Sequence, residues 1–95
     1  MSESKRGEIV RYLHIHFPEN KIETKYDFDR DAWSFKLHFA KSTALLKVAE
    51  NWIDDTDEQS IAHELDRMGV GEMLNGGGGK GVLVSDAGAR EYDRR

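Results

Sequence analysis

Two successive segments alternate apolar and polar residues, and together they dictate a sheet. In the first, Ile22, Thr24, Tyr26 and Phe28 fall on one side while Glu23, Lys25 and Asp27 fall on the other. In the second, Trp33, Phe35, Leu37 and Phe39 oppose Ser34, Lys36 and His38. A two-residue period held over both segments marks half-buried antiparallel strands. The turn-forming Asp29-Arg30-Asp31-Ala32 predicts a hairpin whose four-residue loop pairs Phe28 with Trp33, Tyr26 with Phe35, Thr24 with Leu37 and Ile22 with Phe39. Both apolar sets then share one face.

Upstream, Ile9, Val10, Leu13 and Phe17 recur at helical spacing, and Pro18 ends the pattern, so a first helix is predicted over 4–17. Downstream, residues 42–53 fit two patterns: Ala44, Leu46 and Val48 suit a strand, whereas Ala44, Leu45, Val48, Ala49, Trp52 and Ile53 suit a helix. The strand is preferred, because a two-stranded hairpin is marginal alone and a tight turn at Lys41-Ser42 sets Leu37 opposite Leu46 and Phe35 opposite Val48. Asn51 to Asp55 then leaves the sheet. Thr56 and Gln59 have the spacing of a capping box, opening a second helix with Ile61, Ala62, Leu65 and Met68 as its buried stripe. That helix ends near Gly69 or Gly71, and Met73 and Leu74 fold back on the core. Gly76 to Gly79 predicts a flexible loop, Val82-Leu83-Val84 a last strand, and the charged run 89–95 a disordered tail. The expected fold is a two-layer α+β sandwich in the order α-β-β-β-α-β, a mainly antiparallel sheet with both helices on one face.

A chain of 95 residues accommodates one domain, with an ordered core expected over 4–88. Charged residues make up 34% of it and no apolar run reaches the ~18 residues of a membrane span, so no membrane partner is expected. The first eight residues have no apolar h-region, which leaves cytoplasmic residence as the expectation. With no cysteine there is neither a disulfide framework nor a thiolate site. A net charge of −4 argues against a globally basic nucleic-acid binder, although local patches outweigh the sum.

Several constellations suggest chemistry, and each falls short of it. Gly76-Gly77-Gly78-Gly79-Lys80-Gly81 resembles a phosphate loop but has Leu74 where the leading glycine belongs and Gly81 where the hydroxyl residue belongs. His63-Glu64-Leu65-Asp66-Arg67 begins like a zinc-binding helix, yet Arg67 occupies the place of the second imidazole. Asp54, Asp55, Asp57 and Glu58 favour the start of a helix over a calcium loop. His14 and His16 point about 200° apart on a helix, too far to share an ion, and His14 is placed at the core boundary. No metal or cofactor is expected. His38, with Glu23 opposite, is the sole acid–base pair the register supplies, and no nucleophile accompanies it.

The expected register also aligns Lys25, Lys36 and Lys47 across the outer sheet face, beside Leu45, Ala49 and Leu83. Like charges placed opposite one another call for a counter-charge, supplied by Glu23 and Asp27 or by a ligand. The helix, three-strand, helix order resembles the double-stranded RNA-binding fold over residues 4–69. That family's lysine-rich second helix start is replaced here by Asp54, Asp55, Asp57 and Glu58, so the family is not assigned. The expectation is a non-enzymatic interaction or regulatory domain working through the outer sheet face, with Lys25, Lys36, Lys47, His38 and Leu45 as candidate binding residues. Its expected partner is a protein or a second copy. The alternative is a nucleic-acid-binding module using the lysine row, with Arg30 and Lys41 at its margins.

Overall fold

In the computed structural model, which describes residues 3–75 and 78–93, the first helical stripe becomes α1 (Glu3–His16). It buries Ile9, Tyr12 and Leu13 and ends where the Phe17 amide donates to the Leu13 carbonyl at 2.7 Å, just before Pro18. His14, expected at the core boundary, is exposed; the turn of the helix carries His16 toward the other helices instead, 3.6 Å from Asp66.

The alternating segments form β1 (Lys21–Asp27) and β2 (Ala32–His38), antiparallel as expected, but their register differs by two residues. Tyr26, not Phe28, lies opposite Trp33, and Ile22 lies opposite Leu37. The cause is local turn chemistry. The Asp27 carboxylate accepts the Asp29 amide at 3.1 Å, the Asp27 carbonyl accepts the Arg30 amide at 3.3 Å, and Asp31 takes a left-handed φ of 48° that aspartate tolerates. The four-residue loop therefore starts one position early and leaves Phe28 exposed. The second turn shifts likewise: the Phe39 amide donates to the Ser42 carbonyl, Phe39 packs edge-on against Phe17, and β3 (Thr43–Ala49) pairs Phe35 with Leu46 and Leu37 with Ala44. A shift of two preserves which side each residue faces.

Residues 42–53 satisfy both of their patterns in succession. β3 runs directly into α2 (Glu50–Asp55), which buries Trp52 and Ile53 and whose terminal carbonyls, Ile53 and Asp54, each accept the Lys5 ammonium at 3.0 Å. No capping box forms. The Thr56 hydroxyl donates to the Trp52 carbonyl at 2.6 Å, and α3 (Glu58–Arg67) begins after Asp57 with no side-chain cap. Gly69, at φ 75°, reverses the chain into α4 (Val70–Leu74). The Gly71 amide donates to the Tyr12 hydroxyl at 3.0 Å, and a Cβ at Gly71 would lie 2.9 Å from the His16 ring. Absence of a side chain lets α4 sit against α1.

β4 (Lys80–Ser85) pairs parallel to β3, and β5 (Gly88–Asp93) returns antiparallel beside it. Residues 89–93, expected in a disordered tail, thus extend the sheet to the order β1-β2-β3-β4-β5. The expected order is corrected to three strands, three helices and two strands after α1. Buried residues from all four helices join Phe35, Leu37, Leu46, Val48, Val82 and Val84 in one cluster, so every helix packs on the same sheet face. Among the described residues no helix is long and apolar enough to cross a membrane.

Candidate functional site

Among the described residues no helix side chain lines the hollows of the opposite sheet face, and its composition follows from strand parity. Outward-facing residues form cross-strand rows. One runs Lys25, Ser34, Lys47, Leu83, Arg90 from β1 to β5, and the next runs Glu23, Lys36, Leu45, Gly81, Tyr92. At the end nearest the first turn, Ala32 stands opposite Ala49 and Ser85 opposite Gly88. Short side chains there, beside long ones in the neighbouring row, hollow the surface.

Two hollows result. The larger, about 750 Å³, is lined by residues including Lys25, Ser34, Lys36, Leu45 and Lys47; the smaller, about 380 Å³, by residues including Arg30, Ala49, Leu83, Arg90 and Tyr92. Lys47 borders both, so they adjoin along the first row.

The register dissolves the expected lysine row. Ser34 separates Lys25 from Lys47, and Lys36 lies between Glu23 and Leu45. Lys47 is further removed from service because its ammonium lies 3.3 Å from Asp27 and only 16% of its side chain is exposed. Burial pushes the Asp27 carboxyl up, but the Lys47 hydrogen bond and charge and the amides of Asp29 and Arg30 together hold its pKa below the ordinary value. Arg30 reaches the same carboxylate at 4.0 Å. Among the described residues Lys25, Lys36 and Arg90 make no ion pair. The free positive charge of the face therefore lies at Lys25 and Lys36 on β1 and β2 and at Arg90 on β5, while Lys47 on the central strand is neutralised.

His38 stands opposite Lys21 and Thr43, not Glu23, yet its Nε2 lies 2.9 Å from Glu23 Oε1 on the diagonal. The ring N–H does not point along that line, which makes the contact ionic when the imidazole is protonated. Neither hollow is lined by His38. Arg67 pairs with Glu64 at 2.7 Å and lowers its pKa, as expected of neighbours on a solvated helix. Among the described residues no group of three His, Asp or Glu side chains is placed to hold a metal ion.

Gly76 and Gly77 lie outside the described residues. The amides of Gly78 and Gly79 are already committed, to Ser42 Oγ at 2.8 Å and to the Thr43 carbonyl at 2.9 Å, and Lys80 donates to the Asn75 carbonyl. The two amides are spent on the second turn and the lysine on the end of α4, not presented to an anion.

Sequence reasoning missed Arg90 and Tyr92 because it read their segment as tail. The signal was present: Asp86-Ala87-Gly88 is a turn, and the alternation Ala89, Arg90, Glu91, Tyr92 follows it. No protein-family model matches this chain, and no curated protein or solved structure matches it at a significant level.

Proposed function

We propose that this compact α+β chain is a non-catalytic interaction domain that engages its partner through the uncovered sheet face. One observation carries the reading: five strands present adjoining hollows floored by Leu45, Ala49 and Leu83, while all four helices lie on the other side. A partly exposed apolar floor ringed by charge is the composition of a contact surface. No obvious catalytic centre stands among the described residues, since the His38–Glu23 pair has neither a nucleophile nor an enclosing pocket. Light scattering over a range of concentrations tests self-association as the simplest form of this interaction. Leu45→Glu and Leu83→Glu, each putting a charge on the floor, are expected to return an associated protein to monomer without altering its circular dichroism. A complex that survives both substitutions would refute the face as the contact.

A nucleic-acid-binding module is the second reading, supported by the unpaired cations Lys25, Lys36 and Arg90 on that face. Glu23, Asp27 and Asp29 border the same hollow and count against a phosphate chain. Affinity that falls steeply with salt, with a slope reduced by about one contact per cation removed, would support it.

A further inference from the structure

Resting on the sheet-face reading, we propose that the partner is an extended polypeptide segment with a carboxylate at each end and aliphatic side chains between. The first cross-strand row carries the charge pattern that such a segment would match. Its outer members, Lys25 on β1 and Arg90 on β5, are unpaired; its inner members are Ser34, a Lys47 neutralised by Asp27, and Leu83. Read across the sheet, the row is cation, neutral, neutral, apolar, cation.

Its length sets the spacing of the complementary groups. Five strands are separated by four gaps of about 4.8 Å, which places the two cations about 19 Å apart. An extended chain advances about 3.3 Å per residue, so carboxylates about six positions apart reach both cations. The residues between them cross Leu83 and its neighbour Leu45, where apolar side chains lose the most water. A carboxylate in mid-segment would sit over Leu83 and the Lys47 that Asp27 already neutralises, with no free cation of the row to meet it. Nucleic acid fits this row less well, because it carries a phosphate on every nucleotide and would set negative charge over Leu83 and the neutralised Lys47 as well as at the ends.

The probe is a fluorescein-labelled peptide, Glu-Thr-Leu-Ser-Leu-Thr-Glu, compared with an isomer that has both glutamates adjacent in the middle and with a ten-nucleotide oligothymidylate. Binding is followed by anisotropy and located by amide shifts of the 15N-labelled protein. The expected result is binding of the end-charged peptide with shifts at outward-facing β1–β5 residues, and a loss of about tenfold in affinity on Lys25→Glu or Arg90→Glu. The Lys25→Glu protein should regain affinity for a peptide whose matching glutamate is replaced by lysine, a rescue that a misfolded variant cannot show. Equal binding of the two isomers, or no peptide binding, overturns the inference. Oligothymidylate shifting the outer face while the peptides do not overturns it and leaves the face reading standing. Peptide shifts confined to the helical side would overturn both.

Discussion

Replacing Tyr12 by phenylalanine removes one oxygen atom and isolates one amide. The Tyr12 hydroxyl accepts the Gly71 N–H at 3.0 Å across 59 residues of chain, at a point where both residues are buried. Gly71 is the second residue of α4, and an amide in that position has no partner within its own helix. The phenylalanine ring keeps the packing against His16, whose ring centre lies 4.5 Å away, so the perturbation is confined to the hydrogen bond. Leaving a buried N–H unsatisfied costs about 1–3 kcal/mol, a large part of the roughly 5–15 kcal/mol that stabilises a typical domain. In urea the midpoint should fall with an unchanged slope. A melting temperature lower by about 4–8 °C for each kcal/mol is the thermal equivalent. Alkaline pH supplies a second check. Burial raises the Tyr12 pKa above the ordinary 10.0 despite the opposing Gly71 hydrogen bond. Its contribution is therefore complete below pH 10 and lost as pH rises through the folded-state pKa. The difference between wild type and Tyr12→Phe should narrow above that pH. A difference under about 0.5 kcal/mol at neutral pH, the range of an ordinary surface substitution, would show that this hydrogen bond does not anchor α4.

Phe35, fully buried on the central part of the core face, should cost about 3–5 kcal/mol when replaced by alanine, and a loss below about 1 kcal/mol in denaturant would contradict its inward placement. Tyr26 donates to Glu50 at 2.8 Å, which pushes its pKa up to about 12. Ultraviolet titration should find one tyrosine returning toward 10 in Glu50→Gln, and no change would exclude that bond. The Asp27 carboxyl should titrate below its ordinary 3.8 and move upward in Lys47→Ala, so its support is present above pH 3.8 and lost as acid protonates it. Carbonyl NMR would read both, and an unmoved carboxyl would mean that Lys47 is not its partner.

How much of this was legible in the chain depends on the range over which each signal acts. Facing was readable because parity is an alternation, and a two-residue shift leaves Phe35, Leu37, Leu46 and Val48 inside. Register was not, because it was decided by Asp27 bonding to an amide two residues on and by Phe39 leaving the strand for Phe17. The capping box failed because α3 opens one residue later than the box requires: Asp57 holds the N-cap place, and the Thr56 hydroxyl donates back to the Trp52 carbonyl. β5 escaped notice because its charges resemble a solvated tail, yet an edge strand tolerates charge and is protected by it. Of the candidate binding residues, Lys25 and Lys36 keep free charge on the outer face, Leu45 borders its larger hollow, Lys47 is pinned, and His38 stands apart. Arg90 joined them only once β5 was in place.

The parallel joint between β3 and β4 has a consequence in time. Each of the other three ladders joins strands that are neighbours in the chain, so a short turn brings them together quickly. The β3–β4 ladder, from Leu45 opposite Gly81 to Val48 opposite Val84, has to wait for the whole intervening helical segment to be gathered in. We expect a three-stranded piece and a two-stranded piece to form early and to meet at this seam in the slow step, with Leu46 and Val82 as its first mutual anchors. Until that step is complete, Leu83 and Arg90 are not yet beside Lys47, and the outer face exists only in halves.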